Sequence, residues 1–143
     1  MQDFIGKYRH TLDAKKRLAV PQKLRDKLGK EFVICRPSDN KTKCVYLYND
    51  EDWHEFVTQA KETEQGKGRT KLGRRLFVHA DQIDLDAQGR FTVPAEYCQY
   101  AGLEKDVVLF GAGDRIEIWD TVEFDAMVAE LEEEDYDSSD IAD

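Results

Sequence analysis

At 143 residues and 41% hydrophobic content, the chain can bury one core, or two very small ones that share it. No apolar run approaches the roughly 18–20 residues of a membrane span, and no basic, long-hydrophobic leader opens the sequence, so a cytoplasmic protein is expected. The net charge of −9 argues at first sight against a nucleic-acid partner, but residues 1–75 carry 18 basic against 11 acidic side chains and residues 76–143 carry 3 against 19. Such asymmetry between halves is a signal of polyanion binding. The overall charge is a poor guide here, because charges beyond roughly 8–10 Å are screened at physiological salt.

In chain order, Ile5, Tyr8, His10 and Leu12 alternate loosely and predict a strand. Asp13 to Lys16 is a tight turn, since Asp bonds the backbone ahead of it. Arg17 to Val20 returns as a strand. Pro21 then opens a short helix with Leu24 and Leu28 on one face, and Gly29 ends it. Phe32–Arg36 and Lys43–Tyr48 are strands about a turn at Pro37–Asn40. Asn49 caps a helix running to about Lys61, with Trp53, Phe56, Val57 and Ala60 as its inward stripe. Asp50, Glu51 and Asp52 suit its positive end.

Glu62 to Gly68 reads as a linker, and Arg69 to Val78 as a basic helix. A strand to Leu85 follows, then a turn at Asp86–Gly89, a strand Arg90–Val93, and a helix from Pro94 stopped by Gly102. Val107–Phe110 and Ile116–Trp119 pair as strands, with Gly111–Asp114 as their hairpin loop. Asp120 or Thr121 caps a last helix with Phe124, Val128 and Leu131 inward. From residue 132 the chain is too acidic to pack and is expected to be disordered.

The same motif occurs twice in the chain. Leu12, Asp13, Ala14, Arg17, Val20 and Pro21 reappear 73 positions later as Leu85, Asp86, Ala87, Arg90, Val93 and Pro94. The likeness extends to Gly29 and Gly102; the second copy then has two extra residues, and Phe32-Val33-Ile34 matches Val107-Val108-Leu109. Further on, at an offset of 71, Trp53 matches Phe124 and Val57 matches Val128. Each copy, at about seventy residues, is small for a self-sufficient domain. The expected fold is α+β, with two similar halves around one core related by an approximate two-fold. The divisions are residues 1–62, a linker helix at 63–80, residues 81–131 and an acidic tail at 132–143.

The turns carry the functional signal. An Asp-x-x-x-Arg turn can be a salt bridge that merely closes a hairpin, and this suits the second copy, where Gln88 and Gly89 leave Arg90 as the only charge after Asp86. In the first copy Lys15, Lys16 and Arg17 are three consecutive cations, flanked by Lys7 and Arg9 on the preceding strand. A solvated face usually interleaves acids. A basic hairpin tip can enter a DNA groove or track phosphates. Arg suits bidentate contact with guanine, and Lys neutralises phosphate.

Other chemistry finds little support. His10, His54 and His79 are scattered, with no HxxxH spacing or His/Cys cluster for a metal. The three cysteines, Cys35, Cys44 and Cys98, lack CxxC spacing, and Cys35 and Cys44 fit buried thiols in strands. No phosphate-binding glycine loop and no nucleophile motif is present, so neither an enzyme nor a cofactor is expected.

The doubled turn, with Tyr46-Leu47-Tyr48 before Trp53, Tyr100-Ala101-Gly102-Leu103, and Gly113 to Trp119, resembles the MraZ family of bacterial transcriptional regulators. The resemblance covers nearly the whole chain except the acidic tail. It implies two AbrB-like swapped-hairpin halves in one chain and ring-shaped homo-oligomers. It also implies binding to short direct repeats in double-stranded promoter DNA of the division and cell wall gene cluster, as a repressor associated with the nucleoid. The family's DNA-contacting turn falls on Asp13–Arg17, with Arg17 foremost; Lys15, Lys16, Lys7 and Arg9 accompany it, and Arg90 is the equivalent in the second copy. The alternative is a non-catalytic, antitoxin-like interaction module whose acidic tail captures a basic partner. One departure stands out: the family places Gly before the motif Arg, as at Gly89, but the first copy has Lys16. If that position is left-handed, a non-glycine residue costs roughly 1–2 kcal/mol. Either the turn differs or the extra cation compensates.

Overall fold

Two prolines start the two short helices in nearly the same way. Pro21 (φ −55°, ψ 142°) precedes α1 (Gln22–Leu28), and Pro94 (φ −59°, ψ 149°) precedes α4 (Ala95–Ala101). Each proline carbonyl accepts the first helical N–H bonds, from Leu24 and Arg25 in one copy and from Tyr97 and Cys98 in the other. Gly29 and Gly102, both at positive φ, end the helices as expected. Leu24 and Leu28 of α1 are buried, as are Tyr97, Cys98 and Ala101 of α4.

The computed structural model describes residues 3–63 and 67–134; for residues 63 and 67–70 only the backbone is described. Around the short helices lie β1 (Phe4–Thr11), β2 (Arg17–Ala19), β3 (Glu31–Cys35), β4 (Val45–Asn49) and α2 (Asp50–Thr63). Then come α3 (Lys67–Val78), β5 (Ala80–Asp84), β6 (Arg90–Thr92), β7 (Asp106–Gly113), β8 (Ile116–Asp120) and α5 (Thr121–Glu133). The order strand, strand, helix, strand, strand, helix thus occurs twice, with α3 between the copies.

Pairing crosses from one copy to the other. The six-stranded sheet runs β1-β7-β8-β4-β3-β5, and β2 pairs with β6 in a separate two-stranded ribbon. The first strand of each copy lies against the third strand of the other: β1 on β7 and β5 on β3, both antiparallel. Exchanging each strand for its counterpart leaves the sheet order unchanged when it is read from the other end. Separating the copies would strip partners from β1, β2, β5 and β6 and leave their N–H and C=O groups unpaired. The core is shared in the same way. Phe4, Leu18, Leu24 and Phe32 pack with Phe91, Tyr97, Leu109 and Ile118, and Phe32 meets Phe91 edge to face at 5.2 Å.

The helix caps follow expectation. Asn49 Oδ1 accepts from the Asp52 N–H at 2.8 Å, and Asp120 Oδ2 from the Glu123 N–H at 3.1 Å. In α2, Val57 is buried, and Trp53, Phe56 and Ala60 are partly buried. On the far face of the sheet, Phe124 packs with Cys44, Val108 and Trp119. Beside it, buried Glu117 accepts from Trp119 Nε1 at 2.9 Å and from Arg115 Nε at 3.0 Å.

Several expectations need correcting. β7 continues through Gly113 instead of ending at Phe110, because β1 pairs with it along its whole length, Phe4 facing Gly113. The glycines read as a loop are a close approach: a Cβ at Gly111 would lie 2.5 Å from the Ile5 nitrogen. Ile5 points outward and is 73% exposed, since Phe4 and Tyr8 take the inner face of β1. Leu131 is exposed, and Met127 and Val128 pack beside Phe124 instead. α5 runs to Glu133, past the expected start of the tail. Of the linker expected at 62–68, both ends are helical, since α2 runs to Thr63 and α3 begins at Lys67. Its middle, 64–66, lies outside the described residues, as do residues 135–143. All three cysteines are free and buried, and burial pushes the Cys35 thiol up to about 12.

Candidate nucleic-acid interface

The first turn is built by one carboxylate. Asp13 Oδ1 accepts the backbone N–H groups of Lys15 and Arg17, each at 2.9 Å, and Oδ2 accepts Arg17 Nε at 2.6 Å. Main-chain bonds from Lys16 N to Asp13 O (2.9 Å) and from Asp13 N to Arg17 O (3.1 Å) close the loop. With this many donors aimed at it, the carboxyl is held below its ordinary value of 3.8, first by the Arg17 N–H and then, against some desolvation, by the Arg17 side chain and the Lys15 N–H.

The second turn repeats the construction. Asp86 Oδ1 accepts from Gln88 N and Arg90 N, each at 2.9 Å, and Oδ2 from Arg90 Nε at 3.2 Å. The Asp86 carboxyl is also lowered, the Arg90 N–H contributing most. The hairpin-closing ion pair suggested for the second copy is therefore present in both, and Arg17, like Arg90, is tied to its aspartate.

The left-handed position is also common to both: Lys16 has φ +62° and Gly89 φ +74°. The turn does not change shape to suit lysine. It cannot, because the residue at this position sends its carbonyl to the opposite copy: Lys16 O accepts from Val93 N at 2.9 Å, and Gly89 O from Val20 N at 3.0 Å. These bonds continue the ribbon of β2 and β6. What differs is the packing above each turn. A Cβ at Gly89 would overlap the guanidinium of Arg25. The residue of the second copy aligned with Arg25 is Cys98, whose short side chain leaves room at the first turn for Lys16. Lys16 Nζ reaches the Glu104 carbonyl at 2.7 Å.

The candidate residues therefore divide. Asp13, Lys15, Lys16 and Arg17 form one tip. Lys15 is exposed, and its ammonium has no partner among the described residues. Arg17 uses Nε for Asp13, while its two terminal nitrogens have no hydrogen bond among the described residues. Arg90 differs: its Nη2 donates to Gln88 Oε1 at 2.6 Å. Lys7 and Arg9 share the outer face of β1 with Ile5 and Thr11, and Arg9 Nη2 is paired with Asp125 Oδ1 on α5 at 2.8 Å. Both partners of that pair are largely exposed, so it is worth about 0–1 kcal/mol and is readily exchanged for another anion. Antiparallel pairing of Arg17 with Thr92 and of Ala19 with Arg90 puts the two turns at opposite ends of the ribbon, on the order of 10 Å apart at 3.3 Å per residue.

A model of the MraZ protein family, whose description likens it to antitoxins, matches residues 4–74 and again residues 76–141. The chain belongs to the MraZ family. Relatives named "Transcriptional regulator MraZ" include one from Lachnoclostridium phytofermentans, 40% identical over 116 residues, covering 81% of this chain and 80% of the relative. Another, from Clostridium beijerinckii, is 41% identical over 117 residues, with 81% and 80% covered. A third, from Alkaliphilus oremlandii, is 35% identical over 123 residues, with 85% and 84% covered. The two MraZ matches divide the chain within α3, between the two copies of the turn. Among the described residues, no helix is long and apolar enough to cross a membrane, and no group of three His, Cys, Asp or Glu side chains converges as a metal site.

Sequence reasoning missed the bulk exchange between Arg25 and Cys98. Its signal was available: the offset of 73 that aligns the turns also aligns these two residues.

Proposed function

We propose that the chain is a sequence-specific DNA-binding repressor of the promoter of a division and cell wall gene cluster, holding short direct repeats through the Asp13–Arg17 turn. The observation that carries this reading is the state of the first tip: Asp13 fixes its backbone, while the Lys15 ammonium and the terminal nitrogens of Arg17 remain unclaimed among the described residues. Arg17 offers a pre-aimed fork for a guanine edge. Lys15 neutralises phosphate, and Lys7 and Arg9 extend the positive track along β1. Asp13 positions the tip without touching DNA. Arg90, with Nη2 held by Gln88 and Nε by Asp86, mainly holds the second turn together.

On this reading the halves, residues 1–62 and 81–131, are related by a pseudo-two-fold and joined by the linker helix. Several chains assemble as a ring in the cytoplasm, at the nucleoid. A ring sets several weak tips side by side, and simultaneous engagement of direct repeats supplies the affinity that one tip lacks. The test is footprinting on the DNA upstream of the chain's own gene over a range of salt. Protection of regularly spaced repeats, weakening steeply with salt, is expected. Absence of protection, or protection without regard to sequence, would overturn the reading.

A further inference from the structure

A second concentration of positive charge lies in a cleft of about 270 Å³ lined by Arg36, Pro37, Ser38, Asn40, Arg75 and His79, residues of neither turn. Arg36 follows β3 directly, and its main-chain N–H bonds to the His79 carbonyl at 3.2 Å, which ties the end of β3 to the segment leaving α3. Its guanidinium is held in place. It stacks 4.0 Å from the centre of the Tyr100 ring, donates through Nη2 to Asn40 Oδ1 at 2.6 Å, and sets Nη1 3.3 Å from His79 Nδ1. Arg36 Nε is buried with no hydrogen-bond partner. Lys43 Nζ lies 4.3 Å from the same Tyr100 ring centre. Arg75 enters from α3, exposed and with no ion pair among the described residues.

Among the described residues, no neighbouring acid makes an ion pair with Arg36 or Arg75. Asp39 spends both oxygens inside its own turn, on Lys41 N, Thr42 N and Thr42 Oγ1, and those bonds hold its carboxyl at about 2. Asp81 takes the Tyr97 hydroxyl at 2.7 Å. Glu96 faces His79, its Oε2 3.2 Å from Nδ1. Two guanidiniums without ion pairs among the described residues therefore line one cleft with a hydroxyl at its wall, while the ionised Asp39 is turned into its own loop and Glu96 faces His79.

We infer that this cleft is a binding site for a phosphate group. A phosphate offers several oxygens and up to two negative charges to the fork of Arg75 and to the remaining N–H hydrogens of Arg36 Nη1 and Nη2, with Ser38 and His79 as further donors. Pro37 and Leu76 provide an apolar side, where such contacts strengthen. Arg36 is already oriented by Tyr100 and Asn40, so little of its freedom is lost on binding. The group could belong to a small phosphorylated molecule or to the backbone of DNA held elsewhere on the protein.

The test titrates inorganic phosphate into the full chain without DNA, at constant ionic strength maintained with chloride, following the His79 imidazole resonances by NMR. Saturable binding at millimolar phosphate is expected, weakened about tenfold or more by Arg75→Ala and unchanged by Arg17→Ala. Ser38→Ala provides a second, milder variant, and thermal melts verify that both variants fold. Arg75→Lys should restore part of the affinity. No saturation, or wild-type affinity in both Arg75→Ala and Ser38→Ala, would overturn the inference. A competing arm adds a promoter duplex: displacement of phosphate assigns the site to the DNA backbone, and undisturbed binding assigns it to a small phosphate.

Discussion

The two turns share a backbone and differ in what surrounds it. Both are closed by an aspartate that collects two main-chain N–H groups and an arginine Nε, and both place their fourth residue in the left-handed region. One carries Lys15-Lys16, with Cys98 at the helix position facing it. The other carries Gln88-Gly89, with Arg25 over the glycine. The difference teaches that glycine is not what makes this turn left-handed. The aspartate and the cross-copy carbonyl bond impose that conformation, and the Arg25 guanidinium lies in the space that a side chain at position 89 would take. Cys98, at the aligned position, leaves that space open beside Lys16.

Exchanging the features of the two turns puts the comparison under stress. Gly89→Lys should have the largest effect on folding, because the new residue adopts a positive φ and makes the Arg25 guanidinium move aside; a loss of about 1–2 kcal/mol is expected in denaturant unfolding. Adding Arg25→Cys should return part of that loss, as a double-mutant cycle would show. No recovery would mean that the strain comes from φ alone. Lys16→Gly should act in the opposite direction on folding, gaining up to about 1 kcal/mol from relieved strain and losing part of it with the Glu104 contact. Its effect on DNA should be a several-fold loss, with the salt slope reduced by about 1 per tip if Lys16 meets a phosphate.

The smallest effect concerns pH. The folded values of Asp13 and Asp86 are both depressed. Their contribution to stability is therefore fully present above the ordinary value of 3.8 and is lost as pH falls through the lower folded values. Because both groups are at the surface, the slope should be shallow. Carboxyl NMR titration should place both below 3.8, and Arg17→Ala should raise Asp13 alone.

Much of this was readable from residue order. Pro21, Pro94, Gly29 and Gly102 bound their helices by rules that involve only near neighbours, and the repeat at a fixed offset announced two halves sharing a core. The errors fall where distant segments decide. Gly111 to Gly113 look like a loop until β1 is laid along them. Ile5 looks inward until Phe4 and Tyr8 claim the inner face of its strand. The state of Arg17 could not be read at all: an arginine four residues after an aspartate can bind it or project past it, and the structure has it do the first with Nε while leaving its terminal nitrogens without partners. The cluster of Arg36, Tyr100, Arg75 and His79 was invisible because its members come from both halves and from the helix between them.

The central claim is that the first turn reads DNA and the second holds the fold. It is tested most directly by mobility-shift titration of one promoter duplex with wild type, Arg17→Ala and Arg90→Ala, each first shown to fold and assemble. The account predicts a loss on the order of 100-fold for Arg17→Ala, as for a bidentate base contact amplified across several tips, and a change within about threefold for Arg90→Ala. Equal losses for the two variants, or unchanged binding by Arg17→Ala, would contradict it.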